Sequence, residues 1–143
     1  MQGGDACIGP YIHLRAICRG RRPRRPATEQ KEHTMQYVNF GQTGLKISRL
    51  GFGGIPIQRI DQPGTRELLI AAHKAGVNYI DTARAYTVSE AWIGQSLEEA
   101  GLRDDFILAT KCRALTKADM EAEIATSLKN LRTDHIELFQ FHN

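Results

Sequence analysis

The alternation of hydrophobic and polar positions after residue 34 predicts strands and helices in turn. Residues 36–40 and 46–50 each alternate, and the glycine-rich turn between them predicts a β-hairpin. Four short apolar runs typical of buried strands follow, at residues 50–55, 77–80, 106–110 and 136–141. Three stretches with apolar residues at helical spacing lie between these runs, at residues 65–75, 87–100 and 116–131. The predicted order is a hairpin followed by β-α-β-α-β-α-β.

Polar residues and glycines mark the ends of the predicted helices. The sequence Thr87-Val-Ser-Glu90 matches a capping box and places the start of the second helix there. Thr116 is a suitable cap for the third helix. Gly76 and Gly101 stand just past the first two helices, where glycine is common. Each of the three helices therefore has a local start or stop signal.

A polar residue or a glycine recurs near the end of each predicted strand. Gly53, Asp81, Lys111 and His142 follow one another at intervals of 28, 30 and 31 residues. Strands that alternate with helices predict a parallel sheet with helical crossovers. A βα unit of about 30 residues suits both a doubly wound sheet and a TIM (βα)8-barrel. A complete barrel needs roughly 250 residues, so four units would be only its N-terminal half, truncated after the fourth strand.

Positive charge is concentrated in the first 34 residues. This segment has seven basic and three acidic residues, whereas the remaining 109 residues have twelve basic and thirteen acidic ones. Its arginine run, residues 19–25, is one form of a nucleic-acid or localisation patch, but the segment lacks periodic apolar residues. We therefore interpret residues 1–34 as a disordered basic extension and residues 35–143 as the folded domain. Deletion of residues 1–34 is expected to leave thermal melting unchanged, and a drop of several degrees would contradict this.

Cysteine usage and hydropathy exclude several classes of protein. The three cysteines, Cys7, Cys18 and Cys112, form no CxxC pair, which argues against a disulfide scaffold and against a metal or iron–sulfur site. We therefore expect a reducing, cytoplasmic location. No stretch approaches the roughly 18 uninterrupted apolar residues of a membrane-spanning helix, so no membrane partner is expected.

The polar residues at the predicted strand ends form a coherent chemical set. Enzymes with parallel sheets place their sites at the carboxyl ends of strands, which here carry Asp81, Lys111 and His142. Tyr86 follows Asp81 by five residues. A lysine cation beside a phenol favours the phenolate, and a carboxylate beside the lysine keeps the ammonium charged and oriented. With a histidine that donates a hydrogen bond to a carbonyl, this set predicts proton donation to a carbonyl that receives a hydride.

The same residues lie in motifs that resemble those of a known family. Residues 81–86, DTARAY, followed by Ser-Glu at 89–90, resemble the Asp-Thr-Ala-x-x-Tyr signature of the aldo-keto reductases. Residues 109–111, ATK, are similar to the family's third-strand lysine motif, and residues 139–142, FQFH, to its fourth-strand histidine motif. Residues 41–54 resemble the family's hairpin and first strand. The resemblance implies the N-terminal half of a TIM (βα)8-barrel, preceded by a β-hairpin.

The resemblance also implies a role for each motif residue. Tyr86 would be the general acid/base, and Lys111 would favour its phenolate. Asp81 would hold Lys111, and His142 would orient the substrate carbonyl. The substrate would be a small-molecule aldehyde or ketone.

The implied cofactor is NADPH (NADP), whose nicotinamide end Gly54, Ile55 and Asp81 would approach. Thr87 departs from the family pattern, because the family usually has glycine at that position. The phrase GFGGIP at residues 51–56 is similar to a bacterial branch of the family that often carries a C-terminal iron–sulfur extension.

Two classes of function remain open on the sequence alone. The first is an NADP-dependent oxidoreductase, of which this chain would be an N-terminal fragment with little activity by itself. The second is a non-catalytic half-barrel that acts only by binding or assembly, since open outer strands favour self-association. A nucleic-acid partner for the basic segment is the weakest alternative.

Overall fold

The structure is a computed structural model that describes residues 34–142. The predicted basic extension lies outside the described residues except for Thr34, so the division of the chain into two segments stays a prediction. The elements of the described part are, in chain order, β1 (Tyr37–Asn39), β2 (Lys46–Ser48), β3 (Phe52–Gly53), α1 (Gln62–Lys74), β4 (Tyr79–Asp81), α2 (Ser89–Ala100), β5 (Ile107–Cys112), α3 (Lys117–Leu131) and β6 (Leu138–Phe141). Short 3₁₀ helices precede α1 and β5, at Ile55–Arg59 and Arg103–Asp105.

The strands pair as the hydrophobic pattern predicts. β1 and β2 form an antiparallel hairpin, and β3, β4, β5 and β6 form a wholly parallel sheet in chain order. A helix connects each parallel strand to the next, because parallel neighbours need a crossover connection. The strand order runs without reversal, whereas a doubly wound sheet reverses its order at a switch point. The common doubly wound orders place at most about three consecutive strands side by side, whereas four do so here, so the fold is a partial (βα) barrel wall.

The core lies between the parallel sheet and its helices. Ile80 of β4 and Leu108 of β5 are completely buried. They pack in one cluster with apolar side chains from all three helices, namely Leu69, Ile93, Leu97 and Leu131. Gly94 allows a close approach of α2 and α3, since a Cβ at this position would lie 2.4 Å from backbone atoms of Asn130 and Leu131.

The first and third helices begin at side-chain caps. The carboxylate of Asp61 accepts a hydrogen bond from the N–H of Gly64 at 2.9 Å, so α1 begins three residues earlier than the apolar spacing predicts. Thr116 caps α3 as predicted, and its hydroxyl accepts from the N–H of Asp119 at 3.1 Å. β3 is shorter than the apolar run around it, because the chain turns into a 3₁₀ helix at Ile55.

The capping-box prediction for α2 is wrong. Val88, not Thr87, is the N-cap residue, and no side chain caps the helix. Thr87 has a positive φ of 41°, a left-handed conformation that disfavours β-branched residues. Its hydroxyl donates to Oε1 of Gln58 at 3.1 Å instead. Glu90, the other half of the predicted box, is buried and bonded to other elements.

Candidate active site

The four residues with predicted catalytic roles meet at the carboxyl edge of the parallel sheet. Asp81 is the last residue of β4, and Lys111 is the last but one of β5. His142 directly follows β6, and Tyr86 lies in the loop between β4 and α2. The parallel register places Asp81 beside Gly53 of β3, at the same edge. Residues from three βα units therefore converge on one surface.

The ammonium group of Lys111 is held by two oxygen acceptors. Its Nζ donates to Oδ1 of Asp81 and, at 2.8 Å, to the carbonyl oxygen of Thr82. The same nitrogen lies 5.5 Å from the centroid of the Tyr86 ring. The side chain of Lys111 is only 14% exposed, which limits the screening of this cation by water. A weakly screened cation therefore lies close to the Tyr86 ring.

His142 stands against the edge of the Tyr86 ring. The two ring centroids are 5.6 Å apart, and the rings are nearly perpendicular at 86°. The backbone N–H of His142 donates to the carbonyl of Cys112 at 2.8 Å, which continues the pairing of β6 with β5. Its Nδ1 is buried and has no hydrogen-bond partner. The imidazole therefore still has a nitrogen to offer to a ligand.

The loop after β4 is fastened to both neighbouring strands through its backbone. The carbonyl of Asp81 accepts from the N–H of Gly54 at 2.7 Å. The N–H of Thr82 donates to the carbonyl of Ala109 at 2.8 Å, and the N–H of Arg84 donates to the carbonyl of Lys111 at 2.9 Å. These bonds extend beyond the end of β4, so the loop that carries Tyr86 starts from a fixed position.

Gly54 and Ile55 lie at the same edge, at the end of β3. A Cβ at Gly54 would come within 2.8 Å of the hydroxyls of Thr82 and Ser89, so only glycine fits without a shift. The hydroxyl of Ser89 donates to the carbonyl of Gly54 at 2.9 Å. Ile55 is 55% exposed. This bare backbone and exposed apolar side chain, beside the carboxylate of Asp81, fit the flat nicotinamide end of a nicotinamide cofactor.

A cavity of about 460 Å³ reaches one of the four converging residues, His142. It is lined by the loop before Tyr86, the segment after Lys111, the start of α3 and His142, through Arg84, Ala85, Cys112, Arg113, Ala114, Leu115, Asp119, Ala122, Glu123 and His142. Its volume lies within the range of small-molecule sites.

Sequence reasoning missed the buried carboxylate of Glu90. Its side chain is almost completely inaccessible and accepts four hydrogen bonds. The sequence does carry a signal, because Glu90 shares one helical face with the buried Ile93 and Leu97 at spacings of three and four. An acid on an apolar stripe is a candidate for a paired buried charge.

Known proteins are similar to this chain in sequence and in fold. A sequence profile of the aldo/keto reductase family matches residues 49–143. The chain is 36% identical over 125 residues to the aldo-keto reductase YhdN of Bacillus subtilis, across 76% of this chain and 38% of that protein. It is 34% identical over 117 residues to L-galactose dehydrogenase of Arabidopsis thaliana, across 73% of this chain and 37% of that protein. An aldo-keto reductase from Bacillus halodurans in its holo form matches with a TM-score of 0.68 at 31% identity, across 76% of this chain and 40% of that chain.

The parallel sheet and the cluster of Asp81, Tyr86, Lys111 and His142 at its carboxyl edge define a TIM-barrel-type domain. Residues 34–142 form part of the wall of this barrel. The chain belongs to the aldo/keto reductase family. It spans less than half the length of the curated relatives described above. No helix within residues 34–142 is long and apolar enough to cross a membrane. The cytoplasmic location stays a prediction.

Proposed function

We propose that this domain takes part in the NADPH-dependent reduction of aldehydes or ketones to alcohols, with Tyr86 as the proton donor. The observation that carries the proposal is the position of Lys111, whose Nζ is bonded to Asp81 and lies 5.5 Å from the Tyr86 ring centroid. Family membership supports the same chemistry. The substrate class is a small-molecule carbonyl compound.

Each site residue would have its own role in the reduction of the carbonyl group. Bound NADPH supplies the hydride for the carbonyl carbon. Tyr86 donates its phenolic proton to the carbonyl oxygen, so the product is an alcohol and the phenolate is left beside the Lys111 cation. Asp81 keeps that cation in place through its carboxylate. His142 would orient the carbonyl by a hydrogen bond from its ring, and Gly54 and Ile55 would contact the nicotinamide end.

A chimera tests the proposed activity. Residues 35–142 would replace the matching part of Bacillus subtilis YhdN, which supplies the rest of a family member's length. We expect the purified chimera to oxidise NADPH when an aromatic or aliphatic aldehyde is added. The loss of absorbance of the reduced nicotinamide measures this oxidation. A folded chimera that binds NADPH but turns over none of a panel of aldehydes and ketones would contradict the proposal.

A second candidate function, binding or assembly without catalysis, is favoured by the edges of the sheet. Within residues 34–142, no strand pairs with the outer edge of β3 or β6. Phe141 on β6 is 73% exposed, and Leu50 just before β3 is 63% exposed. Unpaired strand edges with apolar neighbours tend to pair with other chains.

The chain of residues 1–143 alone is therefore expected to form dimers or larger species and to show little or no turnover. Size-exclusion chromatography with light scattering measures the first property. A fluorescence titration with NADPH at micromolar concentrations should give no saturable binding. A monomer that binds NADPH in the low micromolar range and oxidises it with an aldehyde would overturn this expectation.

A further inference from the structure

The described residues bury one carboxylate that the proposed reaction does not use. Glu90 lies in the first turn of α2 and is 1% exposed. Removing a carboxylate from water is costly, so a buried carboxylate needs well-placed hydrogen-bond donors. The positions of those donors show what this carboxylate holds together.

Four donors from three parts of the chain, namely β5, α3 and the loop after β4, converge on Glu90. Its Oε1 accepts from the hydroxyl of Thr110 on β5 at 2.7 Å and from the hydroxyl of Ser127 on α3 at 2.8 Å. Its Oε2 accepts from the guanidinium of Arg84 at 2.9 Å and from the amide of Asn130 at 3.1 Å. Both oxygens are therefore satisfied, and a helix, a strand and a loop are joined through one side chain.

Two of these donors are next to the candidate active site. Thr110 directly precedes Lys111 on β5. Arg84 lies between Asp81 and Tyr86, and its backbone N–H also donates to the carbonyl of Lys111. Glu90 thus links the strand that carries the lysine to the loop that carries the tyrosine.

Arg84 is fixed as a cation on both sides. Its Nε donates to Oε2 of Glu123 on α3 at 2.7 Å, while its terminal nitrogen donates to Glu90. Burial by itself lowers the pKa of Arg84, but the hydrogen bonds and charges of Glu90 and Glu123 outweigh burial and raise this pKa overall. The guanidinium therefore stays charged and cannot rotate without breaking two ion pairs.

We propose that Glu90 is a positioning residue, which sets the distance between Tyr86 and the Lys111–Asp81 pair by fastening the Tyr86 loop to β5 and α3. It touches neither a reacting atom nor the cofactor edge. The catalytic importance of this positioning rests on the proposed reductase function. That Glu90 sets the position of Tyr86 can be tested without measuring turnover.

The main variant is Glu90→Met, which keeps much of the side-chain volume and removes all four hydrogen bonds. In the chain of residues 1–143, NMR should show a strong proton–proton contact between the rings of Tyr86 and His142 in the unmodified protein. We expect Glu90→Met to weaken this contact severalfold, while the contact between Phe40 and Tyr79 remains as an internal reference.

Two further variants distinguish a positioning role of Glu90 from a general loss of stability. Glu90→Gln keeps an acceptor for Arg84 and is expected to restore most of the Tyr86–His142 contact. Ile93→Ala removes a buried side chain on the same face of α2 and lowers stability without touching the four donors, so the contact should persist. If Glu90→Met does not fold, Arg84→Met breaks the link to the Tyr86 loop at a partly exposed position and is expected to weaken the contact in the same way.

In the active chimera, Glu90→Met is expected to lower kcat by about 10- to 100-fold, the scale of an ångström-level misplacement, and to leave the KM for NADPH within about twofold. An unchanged Tyr86–His142 contact in Glu90→Met, or an equal loss in Ile93→Ala, would overturn the positioning role. An inactive chimera with the expected NMR results would count against the proposed function alone.

Discussion

Replacing Tyr86 by phenylalanine in the chimera is expected to lower kcat by about two to four orders of magnitude, the usual contribution of a general acid. The phenol of Tyr86 is the proposed proton donor, its ring centroid lies 5.5 Å from Nζ of Lys111, and phenylalanine keeps the ring while removing the hydroxyl proton. Because the ring still packs against His142, the affinity for NADPH should stay near normal. Steady-state kinetics with NADPH and an aldehyde measures both quantities.

Tyr37→Phe is the matched control for this substitution. The Tyr37 hydroxyl donates to the carbonyl of Gly76 at 2.8 Å and belongs to the hairpin, which lies outside the candidate site. Its loss should leave kcat unchanged and should cost only about 1 kcal/mol of stability, the usual value of one hydrogen bond. Near-normal turnover of Tyr86→Phe would mean that another group donates the proton, and His142 would be the next residue to replace.

Gly94→Ala is expected to destabilise the domain by about 3 kcal/mol, at the upper end of the usual cost of overpacking. The added methyl group would lie 2.4 Å from the carbonyl oxygen of Asn130 and the carbonyl carbon of Leu131. These are backbone atoms of α3, so no side-chain rotation relieves the clash and the helix itself must shift. Urea denaturation followed by circular dichroism measures the change in the free energy of unfolding.

Gly53→Ala provides the control for a glycine without close neighbours. A Cβ at Gly53 would meet no atom within 4 Å, and its backbone conformation suits other residues. Its free energy of unfolding should therefore stay within about 1 kcal/mol of the unmodified value, because glycine to alanine at a compatible position is neutral or mildly stabilising. If Gly94→Ala unfolds at the same urea concentration as Gly53→Ala, α2 and α3 do not pack as closely as described.

Gly94→Ala should also affect turnover in the chimera. The shift of α3 expected in Gly94→Ala would move Ser127 and Asn130, which are bonded to Glu90. Its effect on turnover should therefore follow that of Glu90→Met. The two variants would then give the same result from different positions on α2, because both change the packing of α2 on α3.

Much of the fold was predictable from local patterns. The strand and helix periods, the Thr116 cap and the strand-end positions of Asp81, Lys111 and His142 all depend on neighbours within a few residues or on a regular βα interval. These features depend only on the helix or strand in which a residue lies, because the direction of each side chain follows the period of that element. The choice of a barrel wall over a doubly wound sheet needed the strand order, which the family resemblance suggested and the parallel pairing established.

The position of Glu90 shows what the sequence alone could not determine. Its local signal, three residues after Thr87, predicted a capping box, and a left-handed Thr87 made that box impossible. Whether a carboxylate is solvated or buried depends on donors that come from elsewhere in the chain, and Ser127 and Asn130 follow it by 37 and 40 residues. Only the close packing of α2 on α3 brings them within reach, because a buried charge is tolerated only where distant groups supply its hydrogen bonds.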